Sequence, residues 1–542
     1  MEREVPGRVR IGGWHDDLFA SHRLTGSAHD RAPASFEQAK NPARGAQFLQ
    51  IVAKPKRAVA RGKSQAKPES KLTRVAFRVS RLMEFCSERE LENQTGHSVY
   101  DWPLVVAKEL FDNGLDACEE AEVPPDITVI VEPDTIVVQD NANGIAADTI
   151  ESVLDYTIRV SSREAYVSPT RGAQGNALKT ILAMSYVLGR KSGGGGDAAG
   201  VTVIESRGVA HRIEFRVDHV INQPRIVHTT AASSLEVGTK ITVYWPPSKL
   251  LEYAAARFKQ LVQTYTWLNP HLSVRGVWFD HEFINVKATN PHWEKWRPRN
   301  PTSVFWYDEA RLQRYLAAHV ARDRDLGQRR TVREFIAEFR GLSGTVVQRK
   351  ILNEVGCSHQ SLASFFGADQ VNRAGVARLL AAMRKYSKPV APKHLGVIGG
   401  EHLKRRFLAA GGNIDTFKYQ CHSGMTSDDI PYVVEFAFGL HQAGLAPDGG
   451  APRLMRAGEG RVALVGQDRV FITGANWSAA INNPFRHFGS TGEGLENTLA
   501  KVRANGGQPV ICALHLASAR IQFADRGKSS IILTDDAEQP DD

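Results

Sequence analysis

The stretch KELFDNGLDAC, residues 108–118, decides the fold prediction because its polar and apolar side chains recur with helical spacing. Residues three or four positions apart share one face of an α-helix. Four polar residues meet this condition and would lie together: Glu109, Asp112, Asn113 and Asp116. The other face would be apolar, with Leu104, Ala107, Phe111, Leu115 and Cys118 on one stripe. The pattern therefore predicts an amphipathic helix that begins near Asp101.

The polar face of this helix supports two interpretations. Carboxylate and amide oxygens are the hard ligands that Mg²⁺ prefers, and a Glu one turn before the Asn could take a proton from water. Alternatively, the four residues form the solvated acidic face of a surface helix. The segment by itself leaves both interpretations open.

Farther along the chain, a turn-forming stretch, DNANGI at residues 140–145, follows two short β patterns. The runs ITVIVE (127–132) and TIVVQD (135–140) predict a β-hairpin. Asp140 would end the second strand, where its carboxylate could accept a hydrogen bond from an exocyclic amine. Gly144 would permit a close backbone turn, although the same residue types also form ordinary Asx turns.

Two glycine-containing segments follow the turn. In TRGAQGNALKTI (170–181), Gly172 and Gly175 precede a helical pattern, so backbone N–H groups and the helix dipole could bind phosphates. The GxxxxGK[ST] spacing of a Walker A loop is missing, and one GxxG is weak evidence alone. GTKITV (238–243) places a Gly-Thr pair at the start of a strand pattern.

In this order and spacing, the four segments resemble the GHKL ATPase family, which includes gyrase B, Hsp90, MutL and histidine kinases. Members bind ATP in the Bergerat fold through an N-box helix, a DxGxG turn, a glycine lid and a Gly-Thr strand. The resemblance implies that Asn113 binds Mg²⁺, that Glu109 polarises the attacking water and that Asp140 accepts the adenine amine. It implies further ATP contacts from Asp116, Gly144 and Thr239, and a phosphate-wrapping lid formed by Gly172, Ala173, Gln174, Gly175, Asn176, Ala177, Leu178 and Lys179.

Other segments are similar to the B subunits of topoisomerase VI, a branch of this family. Ser162-Arg163 resembles the Ser-Lys of their lid segment, which also contacts ATP, and TWLNPH (266–271) resembles the end of their ATPase domain. The block at 332–356 is similar to their helix-two-turns-helix insert. The segment ICALHLASARIQFADRGKSSI (511–531) is similar to their transducer domain, and its Lys528 matches the switch lysine that reaches the γ-phosphate.

The resemblance implies an α+β fold with three parts: a GHKL (Bergerat) ATPase domain, a helical helix-two-turns-helix-like insert and an α/β, ribosomal S5-like transducer domain. We expect five segments: a basic arm at 1–74, the ATPase domain with its N-terminal strap at 75–292, the helical domain at 293–394, the transducer at 395–535 and an acidic tail at 536–542. Ala142 and Ala177 replace glycines of the family pattern. We expect both to be tolerated where φ is negative.

The composition indicates a soluble globular protein and argues against a secreted or membrane protein. The 542 residues are 42% hydrophobic and 23% charged, and no apolar run reaches the ~18 residues of a membrane span. Five cysteines without a CxxC pair fit a reducing cytoplasm. Residues 40–75 contain ten Lys or Arg against one acidic residue, which equals the whole net charge of +9. This arm could bind a phosphate backbone or remain a solvated tail.

The resemblance further implies an ATP-hydrolysing DNA topoisomerase subunit that uses ATP and Mg²⁺. The expected partners are DNA, a second copy of the chain in an ATP-dependent homodimer, and a topoisomerase VI A-like cleaving subunit in an A2B2 heterotetramer. No membrane partner is expected, and the expected location is cytoplasmic and nucleoid-associated. The sequence has no Toprim pattern of Glu and DxD, so DNA cleavage would need the partner. Two alternatives stay open: an ATP-gated clamp or chaperone-like protein of the MutL or Hsp90 kind that never cleaves DNA, and an adaptor that binds nucleotide without turnover.

Overall fold

The computed structural model describes residues 87–154, 165–172, 177–191, 199–218, 223–246, 248–367, 370–441, 469–485, 495 and 509–532. All of these residues lie in one compact unit. The predicted basic arm at 1–74 and the acidic tail at 536–542 lie outside them, as do residues 75–86 at the start of the predicted ATPase domain.

An eight-stranded sheet forms the first layer. Its strands are β1 (Asp126–Glu132), β2 (Thr135–Gln139), β3 (Gly200–Ser206), β4 (Val209–Asp218), β5 (Gln223–Ala232), β6 (Thr239–Tyr244), β7 (Ser273–Trp278) and β8 (His281–Val286). Their spatial order is β5-β4-β3-β6-β2-β1-β7-β8, and only the β1–β7 pair among them is parallel. The predicted hairpin of β1 and β2 is confirmed, with Glu132 opposite Thr135 across its turn.

Five helices accompany this sheet among the described residues: α1 (Glu88–Thr95), α2 (Trp102–Ala121), α3 (Ala147–Leu154), α4 (Ala177–Lys191) and α5 (Leu250–Leu268). The helix predicted from residues 108–118 is α2, and its five-residue apolar stripe is buried as expected. It packs against α5, where the rings of Phe111 and Tyr265 stack with centroids 5.0 Å apart. Burial of such aromatic area is a main source of the stability of this layer.

A helical segment follows this layer along the chain. It comprises α6 (Glu309–Asp325), α7 (Val332–Ala337), α8 (Thr345–Val355), α9 (Leu362–Phe366) and α10 (Arg373–Lys385). A capping box begins α7: the Thr331 amide donates to the Glu334 carboxylate at 2.7 Å, and the Glu334 amide donates to the Thr331 hydroxyl at 3.2 Å. These bonds satisfy amides that have no partner within the helix.

The second sheet follows α11 (Gly400–Ala409) and contains β9 (Lys418–Met425), β10 (Pro431–Leu440), β11 (Val470–Ala475), β12 (Ser478–Ala479) and β13 (Val510–Ser518). Its order is β12-β11-β13-β10-β9. Residues 475–479 form a tight turn, here named the 475–479 hairpin, with φ of 48° at Asn476 and 62° at Trp477. Two successive left-handed residues are what a two-residue type I′ turn requires. The hairpin packs on α2 and α5, so the two sheets share one interior.

The α+β class predicted from the sequence is confirmed, since helices and mostly antiparallel strands occur in separate layers. In the part of the chain that the structure describes, no helix has both the length and the apolar content needed to cross a bilayer.

Candidate functional site

The polar face of α2 contains two different environments. Glu109 is half-buried and Asn113 is exposed, whereas Asp112 and Asp116 are only 4% and 9% exposed. The interpretation of this face as a uniformly solvated acidic surface is therefore wrong. Its two aspartates belong to buried polar clusters, which leaves Glu109 and Asn113 as the more accessible pair.

The first cluster surrounds Asp112. Lys108 Nζ donates to Asp112 Oδ2 at 2.6 Å and to Ser478 Oγ at 2.7 Å, while Ser478 Oγ donates to the same Oδ2 at 2.7 Å. Tyr265 donates to Asp112 Oδ1 at 2.7 Å. Burial alone would raise the pKa of Asp112, but the charge of Lys108 and its hydrogen bond outweigh that effect and lower it. Burial alone would lower the pKa of Lys108, but the negative charge of Asp112 outweighs that effect and raises it. The pair is therefore held ionised.

The turn after β2 is built around the Asp140 carboxylate. Its Oδ1 accepts from the amide of Ala142 at 2.9 Å and from the amide of Thr239 at 3.2 Å. Burial raises the pKa of Asp140, and the hydrogen bonds from Ala142 and Thr239 partly offset the rise. Ala142 is not among the residues with positive φ, so alanine fits the backbone at the position where the DxGxG pattern has its first glycine.

Glycines make the close approaches in this turn possible. Gly144 has φ of +74°, and a Cβ there would lie 2.5 Å from Ser206 Oγ. Gly238, which precedes Thr239, has φ of +89°, and a Cβ there would lie 2.1 Å from the Asp140 carbonyl oxygen. On the α2 side, a Cβ added at Gly114 would lie 3.3 Å from Asp140 Cβ, which is a milder crowding. Helix α2, the turn after β2 and the start of β6 therefore meet at one place.

Only the two ends of the predicted lid are described. Gly172 is exposed, and a Cβ on it would meet nothing within 4 Å. Ala177 begins α4, Leu178 is half-buried, and Lys179 is only 2% exposed and engaged in polar interactions. The lid residues Ala173, Gln174, Gly175 and Asn176 lie outside the described residues, as do Ser162 and Arg163.

A second buried cluster surrounds Arg171, the residue before the predicted lid and here named the lid base. Arg171, only 2% exposed, donates to Asp116 Oδ1 at 2.8 Å and to both carboxylate oxygens of Glu119 at 2.7 and 2.9 Å. It also donates to Asn269 Oδ1 at 2.6 Å, and Lys295 lies 2.7 Å from Glu119. Burial would raise the pKa of Glu119, but Arg171 and Lys295 hold it well below its ordinary value. For Asp116, burial outweighs Arg171 and raises the pKa.

Lys528 lies at the base of the lid. Its Nζ donates to the carbonyl oxygen of Arg171 at 3.1 Å, although 357 positions separate the two residues in the chain. Burial lowers the pKa of Lys528, and the positive charge of Lys108 lowers it further, whereas Glu109 and Asp112 raise it. The lysine is therefore within electrostatic reach of the accessible residues of α2. The segment after β13 thus comes close to α2 and contacts the lid base.

Several residues of these clusters are missing from the site predicted from the sequence. They are Lys108, Ser478 and Tyr265 of the first cluster, and Arg171, Glu119, Asn269 and Lys295 of the second. The sequence offers a weak signal for three of them: Lys108 and Glu119 lie next to the predicted polar face of α2, and Arg171 precedes a glycine of the predicted lid. Their partners come from distant parts of the chain, so spacing alone cannot pair them.

No protein-family model matches the chain. Over 447 residues it is 24% identical to the B subunit of type 2 DNA topoisomerase 6 from Methanococcoides burtonii, a match that covers 79% of this chain and 64% of that relative. The corresponding protein of Methanosarcina barkeri is 24% identical over 449 residues, with the same shares of the two chains. That of Archaeoglobus fulgidus is 27% identical over 290 residues, 52% of this chain and 44% of the relative. A solved MutL ATPase domain of Aquifex aeolicus, complexed with ADP, is 18% identical and covers 34% of this chain and 62% of its own, with a TM-score of 0.22.

The polar face of α2, the glycine-bounded turn, the strand that begins at Thr239 and the lid base form one candidate site in an α+β protein. The chain is similar to the B subunits of type 2 DNA topoisomerase 6, which confirms the resemblance predicted from its motifs. It spans 64% of the length of the first of these relatives.

Proposed function

We propose that the chain is the ATP-binding and ATP-hydrolysing subunit of a type IIB, topoisomerase VI-like DNA topoisomerase. One observation supports this most strongly: Lys528 Nζ lies 3.1 Å from the carbonyl oxygen of Arg171, at the base of the lid and within electrostatic reach of Glu109. A switch lysine must come from a distant segment to the nucleotide site. The similarity to topoisomerase 6 B subunits supports the same function.

The donor set fits Mg²⁺ bound together with a triphosphate. Asn113 is exposed on α2 and offers one amide oxygen. No group of three His, Cys, Asp or Glu side chains able to hold a metal occurs among the described residues. Mg²⁺ usually takes few protein ligands and keeps waters and phosphate oxygens, so a single Asn is a suitable contribution. Asn113 would hold the ion, which would neutralise negative charge that develops on the phosphates.

In this proposal each residue has one role. Asp140 accepts the adenine amine, with Gly144 and Thr239 shaping the turn around it. Glu109 orients the attacking water and takes its proton. Asp116 supports the site from α2 through Arg171, and the lid from Gly172 to Lys179, with Ser162 and Arg163, binds the phosphates. Lys528 offsets the negative charge that develops on the γ-phosphate.

The nucleotide state would then control the rest of the molecule. Lys528 follows β13 of the second sheet, so a contact that depends on the γ-phosphate links ATP to the position of that sheet. We propose that this change closes an ATP-dependent homodimer around DNA. Strand cleavage would come from a separate A-type subunit in an A2B2 heterotetramer, in a cytoplasmic, nucleoid-associated complex.

The purified chain should hydrolyse ATP and bind DNA yet leave supercoiled plasmid intact. Adding an A-type cleaving subunit should give ATP-dependent relaxation or double-strand breaks. Covalent cleavage needs a nucleophile and clustered carboxylates that hold Mg²⁺. Protein-linked DNA ends formed by this chain alone, or absence of ATP hydrolysis, would refute the assignment. ATP hydrolysis with DNA binding but no relaxation with the cleaving subunit would favour a clamp.

A further inference from the structure

Among the described residues, two sets of contacts connect the second sheet and the segment after it to the site, and one of these sets involves the predicted switch lysine, Lys528. The other is made by the 475–479 hairpin, where Ser478 bonds both Lys108 and Asp112 of α2. The hairpin is buried: Trp477 is fully covered and Ser478 is 6% exposed. This second contact therefore belongs to the interior and is not a surface contact.

Each residue of the buried ion pair directly precedes, in sequence, one of the two proposed site residues on α2. Lys108 precedes Glu109, and Asp112 precedes Asn113. Within one α-helix, the two pairs form adjacent stripes about 100° apart and move together. Whatever fixes Lys108 and Asp112 therefore fixes the direction of Glu109 and Asn113.

Ser478 completes the hydrogen bonding of this buried ion pair. It accepts from Lys108 at 2.7 Å and donates to Asp112 at 2.7 Å, so one hydroxyl serves both charges. Buried charges are stable only where their remaining donors and acceptors are satisfied. Withdrawal of the hairpin would leave Lys108 and Asp112 underbonded, so its docking and the placement of α2 are coupled.

The same hairpin also reaches the lid base. Asn269 donates to the carbonyl oxygen of Trp477 at 3.0 Å and accepts from Arg171 at 2.6 Å. Arg171 in turn accepts from Lys528 through its carbonyl oxygen. The hairpin therefore bonds α2 directly and the lid base through Asn269, and the switch lysine bonds the lid base.

We propose that Ser478 is a positioning residue for ATP hydrolysis: docking of the 475–479 hairpin onto Lys108 and Asp112 orients Glu109 and Asn113 for reaction. This inference rests on the proposed function. It makes the second sheet a regulator of the hydrolysis site through a contact that is separate from Lys528.

The test compares Ser478→Ala with Tyr419→Phe in the full chain. Tyr419 donates to the buried carboxylate of Glu435 at 2.8 Å inside the second sheet, so Tyr419→Phe removes a similar bond away from α2. Loss of a hydrogen bond to a charged group should lower kcat for ATP ~10-fold in Ser478→Ala, with KM changed less than ~2-fold. Tyr419→Phe should leave both constants near those of the unchanged protein.

A second pair of variants controls for packing. Ser478→Thr keeps the hydroxyl, and Ser478→Val has the shape of threonine without the hydroxyl. The threonine variant should therefore keep most of kcat, and the valine variant should not. Amide hydrogen exchange of residues 102–121 should rise in Ser478→Ala and Ser478→Val only. Equal behaviour of the Thr and Val variants, or of Ser478→Ala and Tyr419→Phe, overturns the inference. If the unchanged protein lacks ATP hydrolysis, the proposed function fails instead, and the exchange data still decide whether the hairpin orders α2.

Discussion

At the residue scale, neighbouring residues of α2 have opposite surroundings because each step along a helix turns the side chain by about 100°. Asp112 is buried and accepts from Lys108, Ser478 and Tyr265. Its lowered pKa and occupied oxygens make it a poor base. Glu109, half-buried and one turn before Asn113, is the better candidate to take a proton from water.

Replacing Glu109 with Gln should lower ATP hydrolysis ~10²-fold or more while ATP still binds, because the amide keeps the shape and removes the basicity. Steady-state hydrolysis and nucleotide titration measure the two effects separately. The matched control is Glu120→Gln on the exposed side of the same helix, which should hydrolyse ATP at the normal rate. Near-normal turnover by Glu109→Gln would transfer the role of the base to another carboxylate.

His402 should make stability depend on pH. Burial lowers its pKa from 6.5 to about 4, and Arg406 contributes in the same direction. Between pH 6.5 and 4 the unfolded chain therefore binds a proton that the folded chain does not, so stability falls as the pH falls through this window. The shift corresponds to a loss of about 3 kcal/mol.

Unfolding by urea at a series of pH values measures this dependence. His402→Gln should flatten the curve between pH 6.5 and 4, whereas the control His281→Gln, at an exposed position on β8, should leave it unchanged. An identical slope in the unchanged protein and in His402→Gln would show that His402 does not contribute.

At the element scale, the turn after β2 depends on Gly144 more than on the residue at position 142. We expect Gly144→Ala to destabilise the fold by about 2 kcal/mol, because L-residues pay ~1–2 kcal/mol at positive φ and the new Cβ would crowd Ser206. Nucleotide affinity should fall with it, since the turn also positions Asp140. Chemical denaturation and nucleotide titration give the two values.

Gly344→Ala serves as the control for Gly144→Ala. Gly344 has φ of −74°, and nothing lies within 4 Å of its added Cβ. If both alanine variants lose the same free energy of unfolding, the left-handed turn at Gly144 is not the cause.

Local periodicity is enough to predict individual elements. The apolar stripe of α2 and the β1–β2 hairpin follow from spacing within a dozen residues, and both are confirmed. The clusters around Asp112 and Arg171 cannot be predicted in this way. Asp112 and Ser478 are 366 positions apart, and only the pairing of whole sheets brings them together. The predicted lid beyond Gly172 stays a prediction.

At the scale of the whole molecule, a non-hydrolysable ATP analogue with Mg²⁺ should convert monomers into dimers. The reason is that a ligand shifts an equilibrium toward the state to which it binds more tightly, and the proposed closed state alone contacts the γ-phosphate through Lys528. Sedimentation velocity measures the change. Asp140→Ala, which removes the proposed adenine acceptor, should stay monomeric. An unchanged mass at analogue concentrations that saturate the site would contradict an ATP-driven gate.

The 475–479 hairpin also affects how the described part of the protein unfolds. Trp477 packs between Trp293 and His515, with Lys295 Nζ 4.8 Å above its ring. Separation of the two sheets would expose this indole. It would also remove the Ser478 hydroxyl from the Lys108–Asp112 ion pair. Neither layer therefore keeps its core without the other. The described body should lose its structure in one cooperative step. Sequence boundaries between its layers are therefore poor places to divide the chain.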